Sequence, residues 1–262
     1  MATPPMTPEE HATQLFDQGY AVFEGAFDAG EVDAFRSGIE QLYVSLGSPR
    51  CYSPTLEVLG PAVHVAKPGL IIAKLVERRP DFASRILKAP IVDAVRRVLG
   101  EEMYVELTAA VIADETRAFF AWHTHIGGQD DGAYRATGVW PIVPRPRRIG
   151  TLLYLDDLDD DNGPLLVHPR AAGEPTAPPH DLDREDWDGQ IVVRAARGTV
   201  VAMDECTWHA ARQKRKPGLR ILLGCNFVSR DAPRAPLIEY SLRSHRDGGH
   251  LLRSVLPPAE TG

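Results

Sequence analysis

The sequence predicts an α+β chain that is mainly β: a double-sheet jelly roll or barrel with N-terminal helices packed outside it. Three observations predict this. Apolar residues recur at helical spacing up to about residue 100. After Gly100 the chain breaks into at least six short β-type runs, and turn-forming clusters separate them. At 262 residues, 44% of them hydrophobic, the chain can bury a sizeable core. It is read as one domain over residues 1–262, with mostly helical support over 1–100, the roll over 101–230 and a C-terminal extension over 231–262.

Thr7, with Pro8 at the first helical position and Glu10 three residues on, forms a capping-box pattern. The helix it starts should end at Gly19, where Tyr20-Ala21-Val22-Phe23 reads as a strand. Val32, Phe35, Ile39, Leu42 and Leu46 mark a second helix over Asp28–Leu46. The Pro- and Gly-rich residues 47–69 read as an irregular excursion, and Asp81–Leu99 as a further helix. Strands are expected over Met103–Ile112, Arg117–His125, Arg148–Leu155, Leu165–His168, Gln190–Ala195, Thr199–Met203 and Leu219–Phe227. Between them lie Gly127-Gly128, Asp161-Asn162-Gly163-Pro164, Arg197-Gly198 and Lys216-Pro217-Gly218. The Pro-rich stretch Glu174–His180 reads as a loop.

The formal charge is 29 − 36 = −7, and Asp156, Asp157, Asp159, Asp160 and Asp161 concentrate the acidity. With no basic stripe, a nucleic-acid backbone is excluded as a partner. No apolar run reaches the roughly 18 residues of a membrane span. Residues 1–10 lack the basic start and apolar centre of a signal peptide. Three cysteines, Cys51, Cys206 and Cys225, form neither a disulfide framework nor a metal-type spacing, as expected of reduced thiols in the cytoplasm.

The informative segment is Phe119-Phe120-Ala121-Trp122-His123-Thr124-His125-Ile126-Gly127-Gly128. On a strand, His123 and His125 share a face and can hold a metal, with His209 as the third ligand from downstream. Two histidines at this spacing are also compatible with a metal-free face. Trp122 and Trp208 each precede a proposed ligand, so alternation turns them outward as packing residues.

Leu152-Leu153-Tyr154-Leu155-Asp156-Asp157, then Asn162-Gly163-Pro164-Leu165-Leu166-Val167, then Gly198-Thr199-Val200-Val201-Ala202-Met203-Asp204 leading to His209 and Arg220, together resemble the phytanoyl-CoA dioxygenase family. Gly19-Tyr20-Ala21-Val22-Phe23 is similar to that family's opening segment. The resemblance implies a double-stranded β-helix (jelly roll, cupin-like) holding Fe(II), with 2-oxoglutarate as co-substrate and a small-molecule substrate oxidised at C–H. It assigns His123 and His209 to the metal. Arg220, eleven residues after His209, matches the arginine that pairs with the distal carboxylate of 2-oxoglutarate. Trp140 resembles an aromatic wall beside the co-substrate, Lys74 is a second candidate for its carboxylates, and Thr151 and Tyr154 are candidates for the cavity lining.

The sequence departs from the family at position 125, where histidine replaces the expected aspartate or glutamate. Three neutral imidazoles leave Fe(II) near a charge of +2 instead of +1, which a dianionic co-substrate still neutralises. Asp130 or Asp131, after the Gly127-Gly128 turn, is the alternative carboxylate ligand. Two other readings stay open at this point. One is a three-histidine iron or zinc enzyme that does not use 2-oxoglutarate. The other is a jelly roll that binds a small ligand without turnover.

Overall fold

The structure, a computed structural model, describes residues 5–245 and 249–260. Helix α1 (Pro8–Gln18) begins with the expected capping box, Thr7 and Glu10 each accepting the other's backbone N–H. It ends at Gly19, whose φ of +74° needs glycine. A Cβ there would also run into the Thr207 hydroxyl and sit 2.8 Å from the Arg170 carbonyl. Strand β1 (Tyr20–Phe23) and helix α2 (Ala29–Ser45, capped by Asp28) follow as the sequence predicts.

Residues 47–69 differ from expectation. They carry β2 (Glu57–Gly60) and β3 (Val63–Ala66), and β4 (Gly69–Ala73) follows. Val63 and Val65 alternate inward, but runs of four residues flanked by Pro and Gly give too little periodicity to read. The 81–99 helix is also divided. A short α3 (Leu75–Arg78) and a 3₁₀ turn over Pro80–Phe82 precede α4 (Ala89–Leu99). Pro90 explains the break, because it has no N–H to give to a preceding turn and disfavours helical backbone before it.

The roll comprises β5 (Tyr104–Ala113), β6 (Phe120–His123), a short α5 (Gly132–Thr137), β7 (Arg148–Tyr154), β8 (Leu165–His168), β9 (Ile191–Val193), β10 (Val200–Asp204), β11 (Trp208–Ala211) and β12 (Arg220–Val228). A one-turn α6 (His250–Arg253) lies near the C-terminus. The larger sheet runs β1-β10-β7-β12-β5-β4-β3-β2 and the smaller β6-β11-β8-β9, with every pairing antiparallel.

Alternation along the strands makes three apolar layers. Ile149, Leu153, Ile221, Leu223 and Phe227 face α2 and α4 with Phe35, Ile39, Val92 and Val95. Tyr154, Leu222, Val201 and Met203 meet Leu165, Val167 and Val193 between the two sheets. Trp122, Trp208, Leu166 and Trp187 cover the outer face of the smaller sheet. The site lies in the middle layer, at the edge formed by β6. Among the described residues, no helix is long and apolar enough to cross a membrane.

Candidate metal centre

His123 and His209 are paired residues of β6 and β11, their ring centroids 4.0 Å apart. Each ring is fixed by a bond from Nδ1 to a backbone carbonyl, Ala121 at 2.8 Å for His123 and Thr207 at 2.9 Å for His209. A carbonyl only accepts, so both Nδ1 atoms carry the proton and both Nε2 lone pairs face the interior, as metal ligation requires.

His125 joins them by a different route from the one expected. β6 ends at His123, so strand alternation does not place His125. Its backbone N–H donates to the Glu205 carbonyl at 2.9 Å, just before a 3₁₀ turn over Ile126–Gly128. The ring then lies 5.0 Å from His123 and 5.1 Å from His209, with an open edge toward the cavity. One nitrogen from each histidine falls within 4.8 Å of the others. Two opposite ligands at ~2.1 Å from a metal span ~4.2 Å, a closure within reach of side-chain rotation.

Asp130 and Asp131 stay outside this group. Asp130 accepts the Gly132 N–H at 2.9 Å in an exposed turn. Asp131 is buried, accepts the Thr124 N–H at 3.2 Å and is paired with Arg135. Arg135 also donates to the Trp122 carbonyl, so this pair pins the chain around His123 and His125. Glu205 holds the other side of the turn by accepting the Gly127 N–H at 2.7 Å. Behind the ligand strands, Trp122 stacks on Trp187 at 4.2 Å, and the Trp208 indole donates to the Thr176 carbonyl. Both tryptophans are packing residues, as alternation predicts.

The remaining expectations divide. Arg220 is buried at the start of β12, on the same face as Leu222, and its Nη1 donates to the carbonyls of Asn162 and Gly163. Tyr154 also faces the space between the sheets. Thr151 does not: it turns toward the helices and donates to the Cys225 carbonyl at 3.0 Å. Trp140 packs on Trp208 at 5.1 Å, across the smaller sheet from His209, so it does not wall the cavity. Seventeen residues of spacing cannot show on which side of a sheet a loop tryptophan lands. Lys74 lies ahead of α3 with a φ of +53° and is not a lining residue.

A cavity of about 150 Å³ opens beside His125 and His209, walled by Gly150, Leu152, Met203 and Asn226 and by the charged groups Glu106, Arg148, Asp204 and Glu205. The sequence reading missed this charged set, because partners tens of residues apart carry no local signal. Arg148 joins Glu106 at 3.1 Å and Glu205 at 3.6 Å. Burial and the charge of Glu205 push the Asp204 carboxyl up to about 7. Burial and the neighbouring imidazoles push His209 down to about 3 and His123 well below its usual range. The two imidazoles are thus held neutral near pH 7, the state in which imidazole binds a metal.

The phytanoyl-CoA dioxygenase (PhyH) family model matches residues 16–222. The chain belongs to the phytanoyl-CoA dioxygenase family. Family membership makes it a non-haem oxygenase dependent on iron and 2-oxoglutarate. The fold agrees. SnoK, a non-haem α-ketoglutarate-dependent carbocyclase from nogalamycin biosynthesis, aligns with a TM-score of 0.63 at 19% identity, covering 92% of this chain and 93% of its own. EctD from S. alaskensis, solved with 2-oxoglutarate and 5-hydroxyectoine, gives 0.62 at 19% identity over 89% and 81%. HygX from Streptomyces hygroscopicus, solved with nickel, 2-oxoglutarate and hygromycin B, gives 0.58 at 18% identity over 85% and 87%. No curated protein sequence matches the chain. With these solved structures the chain shares its fold.

Proposed function

We propose that His123, His125 and His209 hold the iron, that Arg220 anchors 2-oxoglutarate, and that a small polar molecule is oxidised in the cavity beside His125. The observation that carries this reading is the set of three converging imidazoles, two with Nδ1 fixed on backbone carbonyls and Nε2 free. The donor set fits iron: neutral nitrogen ligands suit a divalent first-row metal, and a dianionic co-substrate balances its charge. The Arg220 Nε is buried with no hydrogen-bond partner, as expected of a guanidinium that awaits an anion.

When bound, iron and 2-oxoglutarate together supply oxidative decarboxylation to succinate and oxidation of an unactivated C–H bond. The chain's own part is placement. Arg220 presents a planar fork to a carboxylate at one end of the inter-sheet space. Leu152 and Met203 give the cavity apolar walls, while Glu106, Glu205 and Asn226 offer acceptors to a hydroxyl- or amine-bearing substrate. EctD and HygX, with 5-hydroxyectoine and hygromycin B bound, are consistent with small polar substrates. The acidic charge supports a partner set without nucleic acid, and three free cysteines, all buried, support a cytoplasmic setting.

Iron-loaded protein supplied with 2-oxoglutarate and air should release succinate slowly even without substrate. Release that needs both iron and 2-oxoglutarate supports the reading. Turnover of a small molecule by zinc- or iron-loaded protein that ignores 2-oxoglutarate would replace it.

A further inference from the structure

The end of the inter-sheet space that holds Arg220 is more basic than one anchoring arginine explains. Arg117, Lys214 and Arg220 are 0%, 1% and 5% exposed. Two other buried arginines of the chain, Arg148 and Arg170, each have a carboxylate partner. Among the described residues, Arg117 and Arg220 hydrogen-bond only to backbone carbonyls, while Asp156 acts on Arg220, and Glu115, Asp156 and Asp114 on Lys214, through charge alone. Arg117 donates to Ala118, Ala211 and Arg212, and Arg220 to Asn162 and Gly163. Lys214 donates to the Lys216 carbonyl. The Nε atoms of Arg117 and Arg220 are both buried without a partner.

The two guanidiniums meet at Gly163. Its carbonyl takes the Arg220 bond, and a Cβ on it would collide with Nη2 of Arg117. Glycine, at a φ of +70°, is what lets Arg117 in. Tyr154 lies within electrostatic reach of both arginines. Burial, with repulsion from Arg220 second, draws the Arg117 pKa down to about 9, so the fold holds this charge at a cost that a bound anion would relieve. Tying β6 to β11 does not need a charge, since a neutral donor reaches carbonyls as well.

The position matches one anion in particular. Ala211, whose carbonyl Arg117 holds, is two residues along β11 from His209, or about 6.8 Å of strand. That is roughly the reach of a five-carbon dicarboxylate with its 2-oxo acid end at the histidines. A carboxylate has acceptor sites for two guanidiniums.

We propose that Arg117 is a second binding residue for 2-oxoglutarate, sharing the distal carboxylate with Arg220. This rests on the reading of Arg220 as the co-substrate anchor.

The test compares two ligands titrated anaerobically into the iron-loaded protein: 2-oxoglutarate, and 2-oxopentanoate, which has the same chain length and no distal carboxylate. Arg117→Gln should weaken 2-oxoglutarate by about 10- to 100-fold and leave 2-oxopentanoate unchanged. A merely structural role would weaken both alike, or neither, and would overturn the proposal. Arg220→Gln is the control for the underlying reading. If it also leaves 2-oxoglutarate unchanged, the anchor assignment fails, whereas a loss at Arg220 alone refutes only the role of Arg117. If Arg117→Gln does not fold, a crystal structure of the wild-type iron–2-oxoglutarate complex decides. An Arg117 nitrogen within hydrogen-bond distance of the distal carboxylate supports the proposal; Arg117 still confined to the Ala211 and Arg212 carbonyls overturns it.

Discussion

His123 and His209 stand opposite each other on neighbouring antiparallel strands, and both rings are locked in the same way, Nδ1 donating to the carbonyl two residues earlier in the chain at 2.8 and 2.9 Å. Two of the proposed ligands are therefore positioned by sheet register and these backbone bonds. His125 is positioned by a turn that Glu205 and Asp131 hold from either side. This difference orders the expected effects of mutation.

Replacing His123 or His209 with alanine should abolish stoichiometric iron. His125→Ala should weaken iron by at least about tenfold, and His125→Asp should restore it, since a carboxylate at this position can ligate from the same turn. Metal analysis after dialysis against a weak chelator checks this. Equal iron retention in His125→Ala and wild type would remove His125 from the ligand set.

Arg220→Lys keeps the charge and loses the fork. The expected result is about tenfold weaker 2-oxoglutarate with iron affinity unchanged, read by titration of the iron-loaded protein.

Asp131 is a positioning residue. Asp131→Asn leaves Arg135 without its ion partner near the Thr124 N–H, and a loss of about 2 kcal/mol is expected in chemical denaturation. Iron affinity should fall with it, because the turn carrying His125 loosens. A variant as stable as wild type would show that the Asp131–Arg135 pair does not support the site.

Asp204 sets a pH dependence. Burial raises its folded pKa to about 7, above the ordinary carboxylate value near 4. Between those values the native state binds more protons than the unfolded chain, so this group's contribution falls as pH rises from about 4 to 7 and is level above that. Asp204→Asn lacks this penalty. Its stability relative to wild type should improve by about 3 kcal/mol across that window, measured as denaturation midpoints from pH 4 to 8. A constant difference would mean that Asp204 is ionised throughout.

Local signals carried much of the fold. The Thr7–Glu10 box, the stop at Gly19 and the short apolar run Leu165-Leu166-Val167 after the Asn162-Gly163-Pro164 turn specify their elements without distant help. β11 was hidden because Trp208-His209-Ala210-Ala211 has no β-branched residue, and its order comes from lying between β6 and β8. At the site, the histidines were legible as a motif. Arg117 was not, since only the fold places it beside Gly163, 46 residues downstream in sequence (163 − 117). The Glu106–Arg148–Glu205 cluster was hidden for the same reason.

The most direct test is an anaerobic titration of metal-free protein with Fe(II) and then 2-oxoglutarate, followed by visible absorption. A weak charge-transfer band that saturates at about one equivalent of each, and is lost in His209→Ala, is the predicted result. Tight iron binding with no band at any 2-oxoglutarate concentration would contradict a three-histidine site that uses this co-substrate.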